Sequence, residues 1–151
     1  MATEVNLKLV ETWLENFFGN RANSKFNFLP ADLLSWSKSS DVNIVTTDIP
    51  RWDEFEKGII DWGKEDFKSI VWDQAQNLPE DLSIYFISDE VLRIKTAIEF
   101  KFTDFENFVT FYESRFRAAF FQPLDYIICL KECREIRIIY HEGKKIIISR
   151  S

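Results

Sequence analysis

Leu92-Arg93-Ile94-Lys95-Thr96-Ala97-Ile98-Glu99-Phe100-Lys101-Phe102 reads as an alternation that runs straight into a second, slower rhythm. A period of two sets Leu92, Ile94, Thr96, Ile98, Phe100 and Phe102 on one face. Arg93, Lys95, Glu99 and Lys101 fall on the other. This predicts one long strand with a buried side and a wet side. Thr103-Asp104-Phe105-Glu106 follows and matches a capping box, in which the Thr hydroxyl and Glu carboxylate satisfy two helix-start amides. Phe105, Phe108, Val109, Tyr112, Phe116, Ala119 and Phe120 then recur at three- and four-residue spacing, which predicts a helix that Pro123 stops.

Downstream, Tyr126–Leu130 and Ile136–Tyr140 read as strands. His141-Glu142-Gly143-Lys144 reads as a turn, and Lys145–Ser149 as the returning arm of a hairpin. Upstream, Leu82–Ser88 is an apolar run of strand length, preceded by a turn over Asn77–Asp81. The stretch from Pro50 to Asp81 suits a helix through Phe55, Ile59 and Trp62, which Gly63 weakens. Residues 64–76 fit helix or strand, with helix preferred. Val42–Thr46 reads as a short strand. Leu29–Leu34 suggests a short helix with Pro30 in its first turn. Leu9, Val10, Trp13, Leu14, Phe17 and Phe18 form the stripe of a first helix, capped by Thr3 or Asn6 and closed by Gly19. The expected class is α+β, with N-terminal helices, then a mostly antiparallel sheet with one long inserted helix and a C-terminal β-hairpin. No Pro/Gly/Ser-rich linker interrupts residues 1–151, so one globular domain is expected.

A chain of 151 residues with 15 Phe and 5 Trp can fill a core without metals or disulfides. No apolar run is long enough to span a bilayer. Met1–Asn6 lacks a basic stretch leading into an apolar one, so a signal peptide is not expected. Cys129 and Cys133 are too close along the chain for an unstrained disulfide, and free thiols point to the cytoplasm.

Net charge is -6, which disfavours nucleic acid and anionic membranes as partners. Its distribution is uneven. Residues 1–40 balance, residues 41–90 hold 13 acids against 4 bases, and residues 91–151 hold 8 acids against 11 bases. The acidity therefore belongs to the middle third, alongside Trp52, Trp62 and Trp72.

Chemistry-bearing patterns are sparse. His141 is the single histidine and falls in a turn. No His-x-x-x-His or Cys-x-x-Cys pair offers metal-ligand spacing, and no metal or cofactor is expected. Four glycines supply neither GxGxxG nor GxxxxGK[ST]. Asp53-Glu54, Glu65-Asp66, Glu80-Asp81 and Asp89-Glu90 are adjacent carboxylates, and neighbours in a helix or strand point apart. No catalytic residue is assigned, and no enzyme is expected.

Carboxylates that steer a partner and aromatics that anchor it are the ingredients of a protein-binding surface. The expected partner-binding residues are Trp52, Asp53, Glu54, Asp61, Trp62, Glu65, Asp66, Trp72 and Asp73. Small acidic cytoplasmic proteins without catalytic residues serve as inhibitors of basic toxins. In that respect the chain is similar to bacterial immunity proteins and antitoxins, a likeness of class and not of fold. The resemblance implies a basic cognate toxin domain as partner, with a nuclease fitting an acidic surface that mimics phosphate. The alternative expectation is an intracellular small-molecule or regulatory binding module with a pocket between the sheet and the Phe105–Phe120 helix.

Overall fold

The computed structural model describes residues 2–19, 26–38, 40–49, 71–72, 78–120, 125–140 and 142–150. Among these residues, seven strands form one antiparallel sheet: β1 (Thr3–Asn6), β2 (Asn43–Asp48), β3 (Ser83–Ser88), β4 (Thr96–Lys101), β5 (Tyr126–Leu130), β6 (Glu135–Tyr140) and β7 (Lys144–Ser149). Their spatial order is β1-β4-β3-β5-β6-β7-β2. The helices are α1 (Leu7–Phe18), α2 (Pro30–Lys38), α3 (Asp89–Arg93) and α4 (Phe105–Phe116). The protein is α+β, with N-terminal helices and a C-terminal hairpin of β6 and β7.

β3 and β5 are buried along their whole length because helices cover both faces of the sheet. Side chains alternate, so each strand feeds two cores. On one face Ile84, Phe86, Phe100, Tyr126 and Ile128 pack against Phe105, Phe108 and Tyr112 of α4. On the other, Tyr85, Ile87, Ile127, Cys129, Ile136 and Ile148 pack against Val10, Leu14 and Phe17 of α1 and Leu33 and Trp36 of α2. Among the described residues, about half of those buried in the α4-side core are aromatic. Phe100 stacks on Phe108 at 4.1 Å, and Phe86 meets Phe108 edge-on at 5.0 Å. Tyr112, fully buried, shares a hydrogen bond of 3.0 Å with Ser88.

The N-terminal helix follows its sequence signals. Asn6 accepts the Lys8 N–H at 2.8 Å, and Gly19 closes the helix at φ 73° with its N–H on the Glu15 carbonyl. Leu9 departs from the expected stripe, being exposed at the helix edge. α2 runs past the expected Leu29–Leu34 and continues to Lys38.

The deciding stretch resolves into two elements. Asp89–Arg93 is a short helix, Lys95 turns through φ 56°, and the strand begins only at Thr96. Its second face is mixed: Ala97 is buried against the α1 layer, Glu99 is half-buried and Lys101 is exposed. α4 begins through a 3-10 turn over Phe102–Asp104, and no side-chain bond caps it at Asp104. Thr103 instead donates its N–H to the Glu80 carbonyl at 3.1 Å. The helix ends at Phe116, where Arg117 takes a left-handed conformation, so Phe120 reaches the core from the following loop. β1 has no counterpart in the sequence reading, which treats Thr3 and Asn6 only as helix caps.

Candidate functional site

Of the nine expected partner-binding residues, Trp52, Asp53, Glu54, Asp61, Trp62, Glu65, Asp66 and Asp73 lie outside the described residues. So do most of the expected helix over Pro50–Asp81 and His141. The chain leaves and rejoins the described fold at two points within the acidic residues 41–90.

The chain leaves at Ile49, whose N–H donates to the Gly143 carbonyl at 2.9 Å, extending the β2–β7 ladder by one rung. Ile49 packs on the α4-side core. The chain rejoins at Val71 and Trp72, both buried in that same core. Trp72, 3% exposed, lies edge-on to Phe102 at 5.3 Å and to Phe105 at 5.6 Å. It is therefore a core residue in this conformation and not a surface anchor.

The Val71 carbonyl accepts a 2.7 Å hydrogen bond from Nη1 of Arg137, and Nε of the same guanidinium donates to Glu135 at 2.8 Å. Arg137 is buried in the middle of β6, and Lys145 on β7 is buried as well. In register, Arg137 opposes Ile128 and Ile147, while Lys145 opposes Ile139 and Thr47, so both cations project to the α4 side. A buried cation is costly unless it meets acceptors. The mildly basic C-terminal third thus places two buried cations on the sheet face to which Ile49 and Val71 also pack. Asp48 at the exit forms an ion pair with Lys144.

Other chemistry is muted. Among the described residues no cluster of three or more His, Cys, Asp or Glu is arranged to hold a metal. Both cysteines are free. Burial in the sheet pushes the Cys129 thiol far above its ordinary value, which makes it a poor nucleophile. Cys133 is exposed in the β5–β6 turn, and partial burial with the Glu135 carboxylate holds its thiol up as well. A cavity of about 30 Å³ lies beside Phe28, Pro30, Ser88, Asp89 and Asp125. That is space on the order of a single water. It sits away from the sheet–α4 interface, which the rings of Phe86, Phe100, Phe108, Tyr112 and Phe120 fill. Among the described residues no helix is long and apolar enough to cross a membrane.

The arrangement is that of an antiparallel α+β protein in which Ile49, Val71 and Trp72, all within the acidic residues 41–90, pack on one covered sheet face. Beyond that class, comparison with known proteins adds no name: no family profile matches the chain, and neither curated proteins nor solved structures yield a significant match.

Proposed function

We propose that the protein is an inhibitor of the immunity or antitoxin type, which binds a basic cognate toxin domain in the cytoplasm through its acidic middle stretch and occludes the toxin's active site. The observation that supports this reading is the concentration of 13 acids against 4 bases within residues 41–90, in a chain otherwise near neutral. Ion pairing across such a surface steers a cationic partner and raises its association rate. Carboxylates arrayed in this way mimic the phosphates that a nuclease binds. Trp52 and Trp62 are the proposed aromatic anchors, and Trp72 serves as the internal peg that holds the returning chain.

The test is co-expression of this chain with the products of neighbouring reading frames, one at a time. One product is toxic alone and harmless with the wild-type chain. Reversing Asp53, Glu54, Asp61, Glu65 and Asp66 to Lys together slows association with that product by about 10- to 100-fold and abolishes protection. The complex also weakens as salt rises. A five-fold reversed variant that protects as well as wild type removes the middle stretch from the interface and the reading with it.

A further inference from the structure

We infer that the outer edge of β2 is a self-pairing edge, through which two copies of the chain join their sheets into one across a two-fold axis at Val45. Among the described residues, β2 borders only β7 and ends the sheet order. All six of its residues are exposed, with Ile44 44% and Val45 56% accessible on opposite faces. Natural edges are blunted by Lys, Pro, bulges or shortness. Asn43-Ile44-Val45-Thr46-Thr47-Asp48 carries none of these over its length. The opposite edge differs: β1 has four residues, and Glu4 within it is held by Arg115 at 2.7 Å.

The hydrogen-bond phase identifies the free groups. The Arg150 N–H donates to the Arg134 carbonyl, so even-numbered residues of β7 bond to β6. The Ile49 N–H donates to the Gly143 carbonyl, so odd-numbered residues of β7 bond to odd-numbered residues of β2. By alternation, the amides and carbonyls of Ile44, Thr46 and Asp48 point away from the sheet.

Antiparallel pairing with a second β2 fits that phase. Ile44 of one copy exchanges both bonds with Thr46 of the other, and the symmetric pair repeats them. The two Val45 side chains then meet at the axis as a close, non-hydrogen-bonded pair, and Asn43 lies beside Thr47. No like charges stand opposite one another. Asp48, the strand's one charged residue, is already matched by Lys144 of its own chain and faces Val42 across the axis. A neutral, β-branched, self-complementary edge suits a second copy better than a basic partner strand, which would find no unmatched carboxylate along it. The two copies, each of net charge -6, repel at long range, so this association tightens with added salt.

Sedimentation velocity of the full chain over a concentration series, in low and high salt, tests the inference. A dimer is expected, with its dissociation constant falling as salt rises. Thr46→Pro removes an outward amide and no bond to β7, and Val45→Lys places charge at the axis. Each shifts the dissociation constant at least ten-fold while thermal melting of the monomer is unchanged. Should Thr46→Pro misfold, Val45→Lys carries the test. In a Cys133→Ser background, Val45→Cys forms a disulfide-linked dimer under mild oxidation and Thr47→Cys does not. A wild-type monomer at the highest concentration reached overturns the inference. So does a dimer unaffected by either variant, a dimer that loosens with salt, or Thr47→Cys cross-linking in preference to Val45→Cys.

Discussion

Trp72 presents its ring to Phe102 and Phe105 at nearly perpendicular angles, and that contact separates two roles a tryptophan can have. A surface anchor can be cut to alanine with little loss of stability. A core ring cannot, because its removal forfeits transfer energy and leaves a cavity. Trp72→Ala is therefore expected to cost about 3–5 kcal/mol in urea unfolding. A loss under about 0.5 kcal/mol would return Trp72 to the surface. The thiols divide in the same way. Cys133 reacts with a thiol reagent in the native chain, and Cys129 only after unfolding. Burial raises both the Cys129 thiol and the Tyr112 phenol, with the Ser88 hydrogen bond working against the rise at Tyr112. The native chain thus retains protons that the unfolded chain releases. Stability is full below the ordinary thiol range and falls as pH climbs above about 9, then more steeply above about 10 as the phenol joins. Melting temperature measured from pH 7 to 11 should show this fall, and Cys129→Ala should remove its first part. A flat profile to pH 10.5 would contradict the burial of both groups.

At the scale of elements, local signals were legible wherever one residue type has one cause. Gly19 adopts φ 73° and nothing lies within 4 Å of where a Cβ would stand, so its substitution meets strain without clash. Gly19→Ala should cost about 1–2 kcal/mol in urea unfolding, from the left-handed backbone alone. An unchanged midpoint would show that the helix end simply rearranges. The aromatic stripe and the apolar runs Ile84–Ile87 of β3 and Tyr126–Leu130 of β5 likewise name their elements, because a strand covered on both faces has no polar side. Alternation was less reliable. Leu92–Lys95 keeps the strand rhythm yet lies partly in α3, since four residues satisfy either period and Lys95 accepts the left-handed turn between them. The Thr103–Glu106 pattern fails as a cap because Thr103 sits in a 3-10 turn tied to Glu80 across the fold. β1 was hidden because four residues, Thr-Glu-Val-Asn, carry too little periodicity. Its pairing with β4 depends on residues some ninety positions away. The buried cations Arg137 and Lys145 were also illegible: each sits where alternation suggests a solvent-facing charge, and Arg137 finds its backbone acceptor at Val71, far away in the sequence.

For the whole molecule, charge separation along the sequence becomes charge apposition in space. The C-terminal strands put Arg137, Lys144 and Lys145 near the exit of an acidic stretch that returns at Val71. Part of the acidity therefore meets cations of its own chain, as Asp48 does with Lys144. The surplus left for a partner is smaller than the sequence count. Salt separates the two associations proposed for this protein: added salt loosens the complex with a basic toxin and tightens the pairing of like-charged copies.

The order of the strands in space also sets an order in time. β2 finds its neighbour only in β7, where Asn43 faces Ser149, roughly a hundred residues later. On a ribosome adding about 5–20 residues per second, the strand waits roughly 5–20 s with both edges unpaired. For that interval Ile44 and Val45 are exposed on a nascent chain, next to the same segment on neighbouring ribosomes of the polysome. A strand adapted to pair with its own copy is then also the segment most prone to do so too early.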